Sequence, residues 1–373
     1  MALSIYRKYR PKTFDDLLGQ EAVTHILKNA ARQNKIAQAY LLAGPRGTGK
    51  TTAARLIAKV ANCETRRQDQ RFMALGEPCN KCRICTEIND GHALDIIEID
   101  AASNRGIDEI RNLKESVRVA PTSYSQKVFI IDEAHQLTKE AFNALLKTLE
   151  EPPAHVILIL ATTEWDKIPA TVASRAQRFH FKRAALPQVI EKLKKISEIE
   201  GIKIEDDALE LVAAAGEGSF RDAESLLDQL VNFGLSGGGE KIALADVEQM
   251  IGKTGSAKVA AFAEKLLKND IQGALAYLNQ VQEGGYNLPQ FCKDLIHCLR
   301  RSLVLKLEPN MESAFRVELT KNDVESLKGL ASHLQEEKHV RLIKNLIAAY
   351  SQMRYSPFPI IPLEVAIVES LKN

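Results

Sequence analysis

The sequence predicts an α/β domain built on a mostly parallel sheet, followed by a region made only of helices. Three observations predict this arrangement. Short β-rich segments alternate with helical segments up to about residue 181, and a glycine-rich phosphate-binding motif follows the first of these segments. After residue 181 the β-rich segments cease and amphipathic helical patterns take over.

The predicted strands share a short, apolar, β-rich composition. They span residues 39–43, 95–99, 127–131, 155–161 and 178–181. The segments between them carry helical patterns, as the crossover connections of a parallel sheet require.

The first strand leads into a phosphate-binding loop. Residues 44–51 read Gly-Pro-Arg-Gly-Thr-Gly-Lys-Thr and match the P-loop pattern, and a helix is predicted directly afterwards, over residues 52–61. Backbone N–H groups of such a loop surround phosphates at the positive end of the helix, Lys50 reaches the β- and γ-phosphates, and Thr51 supplies a magnesium ligand. The predicted nucleotide-binding residues are Gly44, Pro45, Arg46, Gly47, Thr48, Gly49, Lys50, Thr51 and Thr52.

Two carboxylates follow the strand predicted over residues 127–131. They are Asp132 and Glu133, at the strand end where ligands bind in open parallel sheets. We expect Asp132 to hold magnesium through water and Glu133 to orient or deprotonate the attacking water, because phosphoryl transfer depends on positioning and charge neutralisation. Thr162 and Thr163 follow the next strand, where a hydroxyl contacts the γ-phosphate or the water, although such residues also commonly cap turns.

Four cysteines lie close together in the sequence after the P-loop helix. Cys79, Cys82 and Cys85 have C-x-x-C-x-x-C spacing, and Cys63 precedes them. Four thiolates form a closed tetrahedral zinc site, and an iron–sulfur cluster and reduced, unliganded thiols are the alternatives. Cys292 and Cys298 lie in an apolar helical pattern and are predicted to be core residues.

Composition limits the class of protein. The chain has 373 residues, enough for two or three domains, and its formal net charge of +2 excludes a highly basic nucleic-acid coat or an acidic tail. The sequence has no apolar run of the ~18 residues that a membrane span needs. We therefore expect a cytoplasmic protein whose DNA contacts, if it makes them, come from a local patch.

The ordered motifs of the chain resemble those of one family. They comprise residues 7–11 (Arg-Lys-Tyr-Arg-Pro), Phe14, 18–20 (Leu-Gly-Gln), the P-loop, 132–135 (Asp-Glu-Ala-His), 143–153, 161–163 (Ala-Thr-Thr), 174–175 (Ser-Arg) and 218–222 (Gly-Ser-Phe-Arg-Asp). In this order they resemble the gamma/tau subunits of the bacterial clamp loader, which are AAA+ ATPases of the replicative DNA polymerase III. The resemblance covers nearly all of the first 250 residues and, more loosely, the C-terminal region.

The resemblance implies a motor subunit that uses ATP to open the ring-shaped sliding clamp and release it closed around primed DNA. It implies an AAA+ domain over residues 1–181, with a zinc module inserted at about 62–90. A small helical lid over 182–252 and a helical collar for oligomerisation over 256–373 follow. The break between lid and collar is placed at 252–256, and the glycine-rich stretch 234–239 is either a linker or a loop.

The resemblance also implies roles for single residues. Thr163 corresponds to the first sensor, Arg175 to an arginine finger that reaches a neighbouring subunit's γ-phosphate, and Arg221 to the sensor arginine that reads ATP in its own subunit. A guanidinium suits these roles because it is permanently charged and matches phosphate oxygens. The family usually has Ser-Arg-Cys where residues 174–176 read Ser-Arg-Ala, so the finger is retained. Gamma/tau subunits carry a zinc module in the Cys63–Cys85 region, which favours zinc there.

DNA contacts and partners are implied in the same way. Arg105, Arg111 and Lys147 correspond to the face that lines DNA, where backbone contacts suit sequence-independent loading. Relatives often carry basic residues where this chain has Asn104 and Gly106. The implied partners are the delta and delta-prime subunits, further gamma/tau copies, the sliding clamp and primed DNA.

Two other functions are compatible with parts of the sequence. A DNA-dependent AAA+ ATPase, such as an initiator or a branch-migration helicase, has a similar fold, but no winged DNA-binding module is recognisable near the C-terminus. A catalytically silent structural subunit is disfavoured because Lys50, Thr51, Asp132 and Glu133 are all present.

Overall fold

The computed structural model describes residues 4–103, 113, 115–234, 241–251, 256–316, 319–353 and 355–372. Five strands form its sheet: β1 Ala39–Ala43, β2 Ile96–Asp100, β3 Lys127–Asp132, β4 Val156–Thr162 and β5 Gln177–His180. The helices that accompany the sheet are α1 Ile5–Lys8, α2 Glu21–Arg32, α3 Lys50–Asn62, α4 Glu64–Gln68, α5 Gln70–Met73, α6 Arg83–Asp90, α7 Lys139–Glu150 and α8 Ala170–Ala173.

The helices that follow the sheet occupy the rest of the described chain. They are α9 Leu186–Glu200, α10 Asp206–Ala215, α11 Phe220–Gly234, α12 Leu244–Ile251, α13 Ser256–Leu267, α14 Ile271–Glu283, α15 Leu288–Leu307, α16 Glu312–Phe315, α17 Lys321–Ser332, α18 Glu336–Met353 and α19 Ile360–Leu371. The predicted change from α/β to helical structure is therefore confirmed. Of the predicted stretch 234–239 only Gly234 is among the described residues, and 252–255 lie outside them.

The sheet is parallel throughout and has the strand order β2-β3-β4-β1-β5. Each predicted strand is present, with both ends within one residue of the prediction. Ala43 at the end of β1 is paired with Thr162 at the end of β4, and Ile131 of β3 is paired with Leu160. The carboxyl ends of the three central strands therefore lie together at one edge of the sheet.

Both faces of the sheet are buried under helices. Alternate residues such as Leu41, Phe129 and Leu158 face a core that includes α7 and α8, whereas Tyr40 and Val128 face one that includes α2 and α3. The central strands β1, β3 and β4 are buried at every position except Asp132. Strands covered on both faces are apolar along their whole length, which is why these segments are so clear in the sequence.

The chain divides into two compact units. One comprises Met1–Val189 with Gly218–Ser225, and the other comprises Ile190–Glu217 with Leu226–Asn373. The described part of the second unit is helical apart from a single bridge between Ile204 and Ile242, and its largest core is built from α13, α14, α15, α17, α18 and α19. The boundaries predicted at 181–182 and 252–256 remain predictions. In the described part of the chain, no helix combines the length and apolar character needed to cross a membrane.

Segment Gly218–Ser225 packs directly on the P-loop of the first unit. Gly47 has a left-handed backbone, with φ of 72°, and a Cβ added there would lie 1.8 Å from Ser219 Oγ. Ser219 Oγ accepts a hydrogen bond from the Asp222 N–H at 3.2 Å, so it caps the start of α11. Glycine at position 47 thus allows both the turn of the loop and the close approach of this segment.

We predict that Gly47→Ala destabilises the first unit more than Gly91→Ala does. Gly91 also has a left-handed backbone, with φ of 77°, but a Cβ there meets nothing within 4 Å. Both substitutions cost about 1–2 kcal/mol of backbone strain, and Gly47→Ala additionally forces Ser219 to move. The free energy of unfolding of the first unit, measured by denaturant titration, gives the comparison.

A second substitution isolates the steric part. Adding Ser219→Gly to Gly47→Ala should regain the stability that Gly47→Ala loses beyond the loss in Gly91→Ala. The second substitution itself is mild, since glycine at a helix N-cap costs only a few tenths of a kcal/mol. Equal losses for Gly47→Ala and Gly91→Ala would mean that contact with Ser219 contributes nothing.

Candidate nucleotide site and metal centre

The P-loop connects β1 to α3 as the sequence predicts. Gly49 is the N-cap of α3 and has φ of 102°, a conformation that glycine adopts without strain. The loop hydroxyl of Thr48 donates to the Pro45 carbonyl at 2.9 Å, Arg46 is exposed, and Thr52 lies half-buried on the first turn of α3. A loop at a helix N-terminus presents backbone N–H groups and a positive dipole, so this geometry can bind an anion.

Lys50 is the cation of the loop and is buried, with 5% of its surface exposed. Its ammonium donates to the carbonyls of Gly44 at 2.7 Å and Pro45 at 2.8 Å. Burial lowers the pKa of Lys50, and the carboxylates of Glu133 and Asp132 oppose this shift. Phosphate oxygens can replace these carbonyls as acceptors, because hydrogen bonds between two charged groups are stronger than those to a neutral carbonyl.

Thr51 and Asp132 meet across the edge of the sheet. The Thr51 hydroxyl donates to Asp132 Oδ2 at 2.8 Å, and Asp132 Oδ1 accepts from the Glu133 N–H at 3.0 Å. A hydroxyl and a carboxylate at this distance supply the hard oxygen donors that magnesium prefers. The structure therefore brings together the two predicted magnesium residues from positions 81 residues apart.

Glu133 lies in a distinct environment. Its backbone has φ of 48°, which is uncommon for a residue with a side chain. Glu133 Oε2 accepts from the Thr163 hydroxyl at 2.9 Å and the Thr163 N–H at 3.3 Å, and His135 Nδ1 lies 3.4 Å away. Thr163, predicted as a sensor, thus contacts the carboxylate predicted to position water.

Arg221 lies in the first turn of α11, next to the P-loop. Its guanidinium carbon is 4.9 Å from the centre of the Tyr6 ring, a cation–π arrangement. Its Cβ lies 3.4 Å from the position that a Cβ added at Gly47 would occupy. The structure therefore places Arg221 in the same unit as Lys50, as expected for a residue that reads its own subunit's nucleotide.

Arg175 is placed differently. It follows α8, and its guanidinium pairs with Glu150 at the end of α7 at 2.6 Å and donates to the Thr171 carbonyl at 2.6 Å and the Ser174 hydroxyl at 3.3 Å. Among the described residues, none of its hydrogen bonds or ion pairs reaches the P-loop or the acid pair. This separation fits a residue that acts on a neighbouring chain.

The residues predicted to contact DNA are only partly visible. Lys147 is exposed on α7. Arg105 and Arg111 lie outside the described residues. The DNA-binding face therefore remains a prediction.

The four cysteines converge at the end of α3 and the start of α6. All four sulfur atoms, from Cys63, Cys79, Cys82 and Cys85, lie within 4.8 Å of one another. A tetrahedral site with Zn–S bonds of about 2.3 Å has sulfurs ~3.8 Å apart, and Cys79 and Cys85 are 3.9 Å apart. The cluster is thus compatible with a bound metal ion.

Hydrogen bonds around the cluster favour the thiolate form of two of its cysteines, Cys63 and Cys79. The backbone N–H groups of Lys81 and Cys82 donate to the Cys79 sulfur at 3.4 and 3.2 Å, and that of Cys79 donates to Cys63 at 3.4 Å. A hydrogen bond from Cys85 lowers the pKa of the Cys63 thiol. These contacts supply the second shell that orients metal ligands.

Three functional contacts could not be predicted from the sequence. The ring of Tyr6 stacks on Arg221, Glu150 holds Arg175, and His135 faces Glu133. His135 offered a signal, since it lies two residues after Glu133 in the Asp-Glu-Ala-His motif, but a lone histidine carries no assigned role. The partners of Arg175 and Arg221 carry no local pattern at all.

Family models match three consecutive parts of the chain. Residues 19–185 match the model described as DNA polymerase III, delta subunit, and residues 188–236 match the DNA polymerase III clamp loader subunit, ATPase lid domain. Residues 242–372 match DNA polymerase III subunits gamma and tau domain III. Together with the parallel sheet and its P-loop, these matches confirm the predicted AAA+ fold with a lid and a C-terminal helical domain.

Relatives of known name give the same result. The tau subunit of DNA polymerase III from Bacillus subtilis is 41% identical over 98% of this chain, which spans 62% of that relative's length. The gamma subunit from Buchnera aphidicola is 33% identical over 98% of this chain and 97% of its own length. Among solved structures, the Holliday junction branch migration motor of Thermotoga maritima is 21% identical over 75% of this chain and 86% of its own, with a TM-score of 0.47.

The solved structure, at that identity and TM-score, has no bearing on function, whereas the relatives match across almost the whole chain. The predicted family is confirmed. This chain belongs to the gamma/tau subunit family of bacterial DNA polymerase III.

Proposed function

We propose that this chain is an ATP-hydrolysing motor subunit of a sliding-clamp loader, which opens the clamp and places it on primed DNA. The observation that carries the proposal is the meeting of Lys50, Thr51, Asp132 and Glu133 at one edge of the sheet, in a chain of the gamma/tau family. A silent structural subunit would not need this arrangement. The chain's proposed partners are the delta and delta-prime subunits, further gamma/tau copies, the clamp and primed DNA.

The proposed chemistry follows from the contacts of each residue. Lys50 leaves its loop carbonyls for the β- and γ-phosphate oxygens of ATP, while Thr51 and Asp132 hold magnesium, which neutralises phosphate charge when bound. Glu133 orients the attacking water. Thr163 keeps the Glu133 carboxylate in place through two hydrogen bonds.

The two arginines divide between chains in this proposal. Arg221, beside the P-loop of its own chain, contacts the nucleotide bound there, and Arg175 completes the site of a neighbouring subunit. The proposed domains are those of the sequence: AAA+ over 1–181, lid over 182–252 and collar over 256–373. The lid match over 188–236 and the domain III match over 242–372 support the last two. Exposed Lys147 supports DNA contact through the face of α7.

Hydrolysis measured in the assembled loader tests the proposal. ATP turnover should rise with primed DNA plus clamp and respond little to DNA alone, while an initiator or helicase would respond fully to DNA alone. Lys50→Ala should abolish tight ATP binding, and Glu133→Gln should keep binding but lose hydrolysis, because the two residues act on phosphate and on water respectively. Glu140→Gln, an exposed control on α7, should leave both unchanged. Equal turnover by wild type and Glu133→Gln would remove Glu133 from the mechanism.

The metal centre gives a second prediction. We propose zinc, bound once per chain by Cys63, Cys79, Cys82 and Cys85, as a structural staple without a catalytic position. Cys85→Ser should remove the metal, whereas Cys292→Ser should retain it, although both residues are fully buried. Elemental analysis of freshly purified, reduced protein provides the measurement. Iron in the preparation, or no metal at all, would contradict the assignment.

Arg175 gives a third prediction. Arg175→Ala should leave ATP binding by its own subunit intact but lower assembly-dependent hydrolysis by a factor of about 10³, as loss of an arginine finger does. In mixed rings, an Arg175→Ala chain should silence the site of its neighbour, whereas a Lys50→Ala chain should silence its own. Full-rate hydrolysis by a monomer that does not self-associate would rule out an arginine supplied in trans.

A further inference from the structure

His135 lies between the two strand ends that form the site. It belongs to a short 3-10 turn, Ala134–Gln136, that follows Glu133 directly, and only 4% of its side chain is exposed. Its ring contacts Glu133 behind it, Gln136 beside it, and Thr162 and Glu164 at the end of β4. A buried imidazole with polar groups at both nitrogens has a defined hydrogen-bonding state.

The contacts of Nδ1 favour a proton on that nitrogen. Nδ1 lies 3.1 Å from Thr162 Oγ1 and 3.4 Å from Glu133 Oε2. The Thr162 hydroxyl can donate to the Glu164 carbonyl at 3.2 Å, which leaves its oxygen able to accept from His135. The Glu133 carboxylate only accepts. With the proton on Nδ1, Nδ1–H donates to Thr162 and faces the Glu133 carboxylate, whereas an unprotonated Nδ1 would turn a lone pair toward Oε2.

The contacts of Nε2 leave that proton in place in either charge state. The Gln136 amide nitrogen lies 2.9 Å from Nε2 and can donate to it when the ring is neutral. The Glu164 carboxylate, 3.2 Å away and paired with Lys167 at 2.8 Å, can accept from Nε2 when the ring is charged. Both states keep the N–H at Nδ1, facing Glu133.

The two oxygens of Glu133 are thereby distinguished. Oε2 receives the Thr163 hydroxyl and N–H and faces His135 Nδ1, whereas Oε1 has no hydrogen-bond partner among the described residues. Anchoring one oxygen fixes the carboxylate while the other stays available to a water molecule. Such fixing matters because a displacement of about 1 Å in a reacting group can reduce the rate ~100-fold.

We infer that His135 is a positioning residue for Glu133: its hydrogen bond to Thr162 fixes the ring on the end of β4, and Nδ1–H, which faces Oε2 at 3.4 Å, attracts the carboxylate electrostatically. The inference rests on the proposed ATPase function, because Glu133 is there the residue that orients water. His135 touches no reacting atom, so its effect is transmitted through the carboxylate.

Three substitutions test the inference in the assembled loader with clamp and primed DNA. The amide nitrogen of asparagine can occupy the place of Nδ1, and that of glutamine the place of Nε2. His135→Ala and His135→Gln should therefore lower kcat about 10- to 100-fold while ATP affinity changes less than about twofold, and His135→Asn should restore most of the rate. In a Glu133→Gln background, His135→Ala should cause no further loss, since the residue it positions is already disabled.

A second measurement is independent of hydrolysis. Nitrogen-15 NMR of the imidazoles, with the His135 signal identified by its absence from His135→Asn, should show the proton on Nδ1. A neutral ring protonated at Nε2 overturns the inference whether or not the protein hydrolyses ATP. So does an unchanged kcat in His135→Ala, or equal rates for the Asn and Gln variants. A wild-type assembly without ATPase activity refutes instead the proposed function, and the NMR result then still decides the state of His135.

Discussion

The register of β4 between β1 and β3 is the constraint on which the site depends. Ala43 is paired with Thr162, and the Gly44 N–H donates to the Thr162 carbonyl at 3.1 Å, so the P-loop begins where β4 ends. Ile131, the residue before Asp132, is paired with Leu160 of the same strand. The backbone hydrogen bonds of these strands therefore bring the P-loop, the acid pair and Thr163 to the same edge of the sheet. A shift of one residue in β4 would exchange its faces and separate Thr163 from Glu133.

Two residues of this site adopt states that by themselves destabilise the fold. Lys50 is desolvated, and Glu133 has a left-handed backbone that a residue with a side chain rarely adopts. Each is supported by neighbours: Lys50 by loop carbonyls, Glu133 by Thr163 and His135. The surrounding core, buried on both faces of the sheet, has the rigidity to hold such conformations. The buried apolar residues thus stabilise the sheet, whereas the polar residues at its edge form the candidate site.

Features that depend on contiguous residues can be predicted from the sequence, whereas contacts between residues far apart in the chain cannot. The central strands are recognisable because burial on both faces makes them apolar throughout, and the P-loop because its glycines, Lys50 and Thr51 are contiguous. Thr51 and Asp132 are both predicted from the sequence as magnesium ligands, but the strand order that brings them together is known only from the structure. Tyr6 and Arg221, whose side chains stack, are far apart in the sequence, and no sequence pattern indicates their contact. Sequence could therefore identify Arg221 through a resemblance, but it could not identify the ring that holds it. The same holds for Glu150 and Arg175.

Helix α7 connects the region of the nucleotide site with Arg175. It begins shortly after the turn that carries His135 and ends at Glu150, spanning about 18 Å at 1.5 Å per residue. An acidic residue at the C-terminal end of a helix opposes the helix dipole, so Glu150 gains nothing from its own helix. What compensates is Arg175, which is bound by that carboxylate and by the Thr171 carbonyl. A surface ion pair of this kind stabilises a fold little. Its effect is instead geometric, because it ties Arg175 to a helix whose other end begins shortly after the turn that carries His135. The chain's own site and the arginine proposed to act on a neighbour are thus connected through one helix.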